Sequence, residues 1–345
     1  MPEADPGLRA LLDAAVPFAL PLRRSFRGLS VREGVLIKGP SGWGEFAPFA
    51  DYTDAAAARW LDSAIEAAFG NLPARVRDEV PVNAIIPGLG SDDAAGLARE
   101  AVLVHGCRTI KVKVGSAHLV DDEARVASVR DVLDATLGRG RGSIRIDANG
   151  AWDVVRGRVA LRRLAAYGIE YVEQPCRTVP ELRELRSQVD VAFAVDETIR
   201  TSADPAAMRV REYADVAVLK AAPLGGATAT LRVAAALDVP VVISGSLDSS
   251  VGLGVALAAA GALDDLPYDC GLGTGALLAA DLVGETILPI GGAIPVRRAS
   301  PDLPALLAAR DRLSDEQAAW WRARVAAAWS AGSGERSGWL VADAT

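Results

Sequence analysis

From about residue 80 the chain repeats one unit: a short apolar run that ends in a polar residue, followed by a stretch of helical pattern. The runs are Val82–Ile86, Thr109–Val114, Ser143–Ile146, Ile169–Val172, Val191–Val195, Val216–Leu219 and Val239–Ile243. Asp121–Leu137, Asp153–Tyr167 and Pro180–Gln188 are among the helical stretches between them. Runs rich in Val and Ile, without period-2 alternation, predict strands buried on both faces. Their alternation with helices predicts βαβ units and a parallel sheet. The polar residues Asp147, Glu173, Asp196, Lys220 and Ser244 follow one another at steps of 26, 23, 24 and 24. Such a regular period implies stacked or closed units, and about eight of them over roughly 200 residues close into a barrel. A run near Tyr268–Leu272 is left to supply the last strand. The expected fold is α/β, a (β/α)7β TIM-type barrel.

Residues 1–80 pattern differently. Leu29–Lys38 and Trp43–Phe46, joined by Gly39-Pro40-Ser41-Gly42, predict a hairpin. Asp54–Phe69 predicts an Ala-rich helix with Thr53 or Asp54 as its N-cap. Near the other end, Ser314 and Gln317 form a capping-box pattern ahead of a helix through Trp320, Trp321 and Val325. The expected organisation is an α+β capping domain over 1–80, a catalytic barrel over 81–290, and a segment over 291–345 that packs back on the capping domain.

Composition narrows the class. The chain has 345 residues, about two domains' worth, and half are hydrophobic, which excludes wholesale disorder. Its 37 basic and 44 acidic residues give a net charge of −7, against a general nucleic-acid binder. Cys107, Cys176 and Cys270 form no CxxC pair, which excludes a zinc ribbon or a disulfide scaffold. Two histidines leave little room for His-based chemistry. Leu11–Leu20 is interrupted by Asp13 and Pro17 with no basic segment before it, so no signal peptide is expected. The Ala- and Gly-rich run Val251–Leu263 is shorter than the about 20 apolar residues a bilayer span needs. A cytoplasmic protein with no membrane partner is expected; monomer and homo-oligomer both stay open.

In such a barrel, polar residues at the C-terminal ends of the strands face the active site. Read strand by strand, these are Lys111 and Lys113, Asp147, Glu173, Asp196 and Lys220. In Thr109–Val114 the two lysines share one face and Ile110, Val112 and Val114 the other. The apolar set must meet the outer helices, which sends both lysines into the barrel; a lysine-protected strand edge is the alternative. Three acids aimed into one mouth repel unless protonated or neutralised by a cation. All-oxygen ligation suits Mg²⁺, with Mn²⁺ as the alternative, whereas any single acid could equally be the N-cap of the next helix. Lys220 lies across the barrel from the lysine pair by strand order. Burial and nearby positive charge lower a lysine's pKa and make it a competent base. A cation flanked by lysines therefore reads as machinery for removing a proton next to a carboxylate.

Lys111-Val-Lys113, Asp147-Ala-Asn149, Glu173-Gln-Pro175, Asp196-Glu-Thr198 and Lys220, in this order and spacing, resemble the enolase superfamily and its muconate-lactonizing-enzyme subgroup. Gly42-Trp43-Gly44-Glu45 matches the capping domain of that family. The absence of His beyond residue 118 argues against the branch that uses a late barrel histidine. Within the subgroup the chain most resembles the o-succinylbenzoate synthases, through its compact length, Arg145 two residues before Asp147, and Ser244-Gly245-Ser246-Leu247-Asp248-Ser249-Ser250.

That resemblance implies Mg²⁺-dependent dehydration of a succinyl-hydroxycyclohexadiene carboxylate, in menaquinone synthesis, with a small carboxylate as the binding partner. It implies Asp147, Glu173 and Asp196 as metal ligands, Lys113 as base, Lys220 as the opposing cation, and Lys111 as modulator of Lys113. N-acylamino-acid racemase or dipeptide epimerase is the alternative activity. Arg145, Arg27, Ser244, Gly245, Ser246, Gly273 and Thr274 are the expected substrate contacts. Ser244–Ser246 and Gly273-Thr274 read equally as turns, and the arginines Arg23, Arg24 and Arg27 around Phe26 equally as a solvated basic turn.

Overall fold

A computed structural model describes residues 5–332; residues 1–4 and the stretch 333–345 of the expected C-terminal segment lie outside the described residues. The first layer is an antiparallel sheet of β1 (Ala15–Phe26), β2 (Leu29–Gly39) and β3 (Gly42–Phe46), in that spatial order. The hairpin β2–β3 is as expected. β1 was not. Its first half is buried almost without alternation, because Phe18 and Leu20 pack against Leu278, Leu282 and Leu306, so no period-2 signal marks it as a strand. As the edge strand it also tolerates Pro17 and Pro21, which read as breakers in the sequence. Arg27 and Gly28 turn β1 into β2 with φ of 54° and 77°, the left-handed pair that a tight hairpin requires.

The helix Asp54–Phe69 is capped by Thr53 and lies flat on β3. It can do so only because residue 44 is glycine: a Cβ there would come within 1.9 Å of the Ala64 carbonyl oxygen. The helix Asp315–Ala331 carries the expected capping box, and its Trp321, Val325 and Ala328 complete one apolar cluster with Val35, Ile37, Phe46, Trp60 and Leu61. C-terminal residues thus finish the N-terminal layer.

After β4 (Glu79–Pro81) the barrel strands follow: β5 (Ala84–Ile86), β6 (Thr109–Lys113), β7 (Ser143–Asp147), β8 (Ile169–Glu173), β9 (Phe193–Val195), β10 (Val216–Lys220) and β11 (Val241–Ser244). They pair in parallel in unbroken sequence order. β12 (Ala293–Pro295) returns to pair with β4. The expected eighth strand shrinks to Cys270 and Gly271, which bridge Val82 on one side and Ser244 on the other. Four backbone bonds of 2.8–3.0 Å, at Cys270, Asn83, Gly271 and Gly245, close the circle.

The two faces of the strands divide as side-chain parity requires. Ile110, Val112, Ile144, Ile146, Val172, Leu219 and Ile243 pack outward in the large helix–sheet core. Tyr171, Ala194, Val216, Val218 and Val242 form a separate cluster inside the barrel. Lys111, Arg145, Asp147 and Glu173 share that inner parity, so buried charge in the lumen follows from the strand register.

Candidate active site

Register places the chemistry. Lys113 pairs beside Asp147 and Asp147 beside Glu173 on adjacent strands, with Asp196 just past the end of β9 and Lys220 at the end of β10. Lys111 Nζ donates to Glu173 Oε2 at 3.0 Å and lies 3.4 Å from Asp147 Oδ2. Lys113 Nζ donates to Asp147 Oδ2 at 2.5 Å and to Asn149 Oδ1 at 2.6 Å. Lys220 Nζ donates to Asp196 Oδ2 at 2.6 Å. Asp147, Glu173 and Asp196 are all at most 1% exposed.

These charges set one another's protonation. Burial works against the ammonium of Lys113, and neighbouring Lys111 adds to it, so its pKa is held below the ordinary lysine value despite Asp147. Lys111 goes the other way: burial opposes its charge, but Glu173 and Asp147 outweigh it and hold it high. Asp147 is pulled below the carboxylate range because Lys113 and Lys111 overcome its burial. Glu173 is pushed up to about 7 by burial and by the repulsion of Asp147 and Asp196. Two buried lysines thus carry opposite shifts, and Lys113 is the one suited to lose its proton.

Each acid here faces a lysine, and among the described residues no three His, Cys, Asp or Glu side chains form a ready cation cage. The donor set still fits a hard divalent cation. It is all oxygen, it sits on three consecutive strand ends, and burial first, with the neighbouring Asp147 and Asp196 adding to it, disfavours the charge on Glu173.

A small pocket opens above the lysines, lined by Phe26, Arg27 and Phe49 from the capping layer and by Lys111, Lys113, Lys220, Asn83, Ser244–Leu247, Gly271, Gly273 and Thr274 from the barrel. The expected contacts Arg27, Ser244, Gly245, Ser246, Gly273 and Thr274 therefore converge. Arg27 stacks over Phe49 at 4.8 Å. The backbone amides of Gly245 and Ser246 are not open to an anion: the first donates to the Gly271 carbonyl at 3.0 Å, the second to Asp248 Oδ2 at 2.8 Å. The Thr274 hydroxyl is the opposite case, buried with no hydrogen-bond partner.

Arg145 stands apart from these. It faces the lumen one layer below Asp147, is 0% exposed, and lines none of the pocket. Its guanidinium is held by Glu170 Oε2 at 2.5 Å, Asn83 Oδ1 at 2.9 Å and the Asp269 carbonyl at 2.6 Å, between the rings of Tyr171 and Tyr268. Residues two apart on a strand are successive layers on one face, so Arg145 shares the face of Asp147 but lies one layer deeper, outside the pocket lining.

Several residues that hold the site carry no role in the sequence reading, though two of them, Gln174 and Glu45, lie within its motifs. Gln174, with φ of 40°, accepts the amides of Asp196 and Thr198 on one oxygen, both at 3.2 Å, and fixes the turn that presents Asp196. Arg200 donates to Asp196 Oδ1 at 3.1 Å and Glu197 Oε1 at 2.7 Å, four and three residues away on one helical turn. That i, i+4 spacing was legible, but an exposed pair has the same spacing. At the join between layers, Glu45 accepts from Ser249, while Arg32 donates to the Leu247 carbonyl at 3.1 Å and to Ala47. Burial and the nearby Asp248 push Glu45 up to about 7.

Residues 93–303 match the enolase C-terminal domain-like family and residues 17–68 the enolase N-terminal domain-like family. The chain belongs to the enolase superfamily, whose members are generally dependent on a divalent metal. The muconate lactonizing enzyme of Pseudomonas fluorescens shares the fold, with a TM-score of 0.74 at 23% identity over 86% of this chain and 97% of that one. The L-Ala-D/L-Glu epimerase of Bacillus subtilis does so with a TM-score of 0.68 at 21% identity over 83% and 96%. Within the superfamily the chain belongs with the o-succinylbenzoate synthases. It is 47% identical to that of Thermobifida fusca over 90% of this chain and 94% of the relative. It is 46% identical to that of Mycobacterium tuberculosis over 94% and 96%. Among the described residues no helix is long and apolar enough to cross a membrane.

Proposed function

We propose that this chain catalyses the o-succinylbenzoate synthase reaction, the dehydration of 2-succinyl-6-hydroxy-2,4-cyclohexadiene-1-carboxylate to o-succinylbenzoate, as a step towards menaquinone, with Mg²⁺ as its metal and Mn²⁺ as a substitute. The observation that carries the proposal is identity of 46–47% to such synthases over at least 90% of the chain, with the acids and lysines of the site in one barrel mouth.

Asp147, Glu173 and Asp196 would hold the cation, which when bound supplies positive charge against the substrate carboxylate as the adjacent carbon loses its proton. Lys113 takes that proton, in keeping with its lowered pKa, and returns it to the departing hydroxyl on the same face. Lys220 faces it from the other side of the mouth as fixed positive charge, and Lys111 keeps Lys113 poised by repulsion. Arg27, stacked on Phe49, and the unpartnered Thr274 hydroxyl would receive the polar parts of the succinyl arm.

The test is to incubate purified protein with the cyclohexadiene substrate and Mg²⁺, beside a panel of N-succinylamino acids in D₂O. Formation of o-succinylbenzoate supports the reading. Deuterium entering the amino-acid derivatives without any dehydration would replace it with a racemase.

A further inference from the structure

We propose that Arg200 is a positioning residue for this reaction: it ties Asp196 and, through Glu197 and Asn149, the ammonium of Lys113 to Tyr52 of the capping layer. The inference rests on the roles assigned above to Lys113 and Asp196.

The connections are continuous. Lys113 Nζ donates to Asn149 Oδ1 at 2.6 Å, and Asn149 Nδ2 donates to Glu197 Oε1 at 3.1 Å. The same Glu197 oxygen accepts Arg200 Nη2 at 2.7 Å, while Arg200 Nε reaches Asp196 Oδ1 at 3.1 Å. The remaining guanidinium nitrogen, Nη1, donates to the Tyr52 hydroxyl. All three nitrogens of the fork are spent on three different residues, which an ammonium cannot reproduce in one plane.

The local backbone suits holding rather than packing. Asn149 adopts a left-handed φ of 46°, its amide accepted by Asp147 Oδ1 at 3.0 Å, so its side chain turns back to the neighbouring strand end. The side chain of Arg200 is only 7% exposed, and Glu197 Oε2 is buried with no partner, so the hold of Glu197 on Asn149 and Arg200 runs through one oxygen. Tyr52 in turn meets Phe49 edge-on at 5.7 Å, and Phe49 lines the substrate pocket beneath Arg27. The part of the capping layer that lines the pocket is therefore connected to the back of Lys113 by side chains alone. An ammonium of that length has many rotamers, and fixing it before the reaction removes an entropic cost from the chemical step.

The test uses the full chain and the variants Arg200→Met, Arg200→Lys, Tyr52→Phe and the double variant Arg200→Met/Tyr52→Phe. Arg200→Met is expected to lower kcat 10- to 100-fold with KM within about threefold. Arg200→Lys should recover part of the loss. Tyr52→Phe should cost three- to tenfold alone and nothing further in the Arg200→Met background. Independently of turnover, the Lys113 ammonium resonance in ¹H–¹⁵N spectra, assigned by its loss in Lys113→Arg, should be protected from solvent exchange in the parent and in Arg200→Lys and unprotected in Arg200→Met. Full kcat in Arg200→Met, additive losses in the double variant, or an unchanged Lys113 resonance would each overturn the proposal. A parent that fails to dehydrate the substrate while the resonance behaves as described would overturn the assigned reaction and leave the positioning role standing.

Discussion

Asp147 and Arg145 lie two residues apart on one strand and face the same lumen, yet they meet opposite conditions. At the floor, Arg145 is matched by an acid, an amide oxygen, a carbonyl and two aromatic faces. At the mouth, three acids and three lysines crowd together, and burial and like charge leave Glu173 near 7 and Lys113 below its ordinary value. The floor is held by these partners, with only the Arg145 Nη2 nitrogen buried without a hydrogen bond, and does structural work. The mouth is left unbalanced, and that imbalance is what chemistry can use.

The two lysines flanking the mouth give the largest expected difference. Guanidinium keeps positive charge but does not deprotonate, so Lys113→Arg should lose dehydration by about 10³-fold or more, whereas Lys220→Arg should keep it within about 10- to 100-fold. Product formation and α-proton exchange in D₂O, measured on both variants, check this. Dehydration surviving in Lys113→Arg and vanishing in Lys220→Arg would exchange their roles.

At the floor, Arg145→Met should act on folding. It strands Asn83 Oδ1 and the Asp269 carbonyl and leaves Glu170 uncompensated, at a cost of about 2–4 kcal/mol. Denaturant unfolding measures the loss, while kcat of the folded fraction stays within a few-fold. A collapse of kcat in a fully stable variant would move Arg145 into the chemistry.

Glu45 extends the comparison to the join between the layers. Its pKa stands at about 7 in the fold against an ordinary 4.5, through burial first and Asp248 second. The folded state therefore holds its proton more tightly than the unfolded one, and this group's contribution to stability falls as pH rises from about 4.5 to 7. Removing the charge in Glu45→Gln should abolish that slope, so the variant gains on the parent by roughly 1–3 kcal/mol between pH 5 and pH 8. Unfolding curves at several pH values give the answer, and parallel curves for both proteins would contradict it.

The smallest effect belongs to the rim. Arg27 touches no acid or lysine of the mouth, so Arg27→Ala should remove binding that is uniform along the reaction: KM up about five- to tenfold, kcat unchanged within about twofold. An equal fall in kcat at saturating substrate would place Arg27 in the chemical step.

Much of this was readable in the chain. The steps of 23–26 between Asp147, Glu173, Asp196, Lys220 and Ser244 predict the barrel, because each marks one strand end. Period-2 parity places Lys111 and Lys113 inside, but the same parity cannot separate Arg145 from Asp147, since depth along a strand leaves no mark in alternation. β1 escaped because burial on both sides of its first half erases the pattern that would reveal it. Gly245 and Ser246 line the pocket, but their amides are spent on Gly271 and Asp248, partners that only the loop geometry brings to them. Arg200 and Tyr52 are 148 positions apart, and no local pattern links them.

The narrow closure at Cys270 and Gly271 has an evolutionary consequence. A Cβ on Gly271 would approach Ser244 Oγ to 2.5 Å, so the seam is tight, yet it is a bridge of two residues where β6 and β7 share five paired positions. Ser244, Gly245, Gly271, Gly273 and Thr274 line the pocket along that seam, while the acids and lysines stand on β6–β10 or just past their ends. On the roles proposed above, selectivity and reactivity would occupy different arcs of one circle. Substitutions on the seam arc can retune which molecule is accepted without disturbing the ladder that holds the charges, so a barrel closed in this way can change its diet while keeping its chemistry.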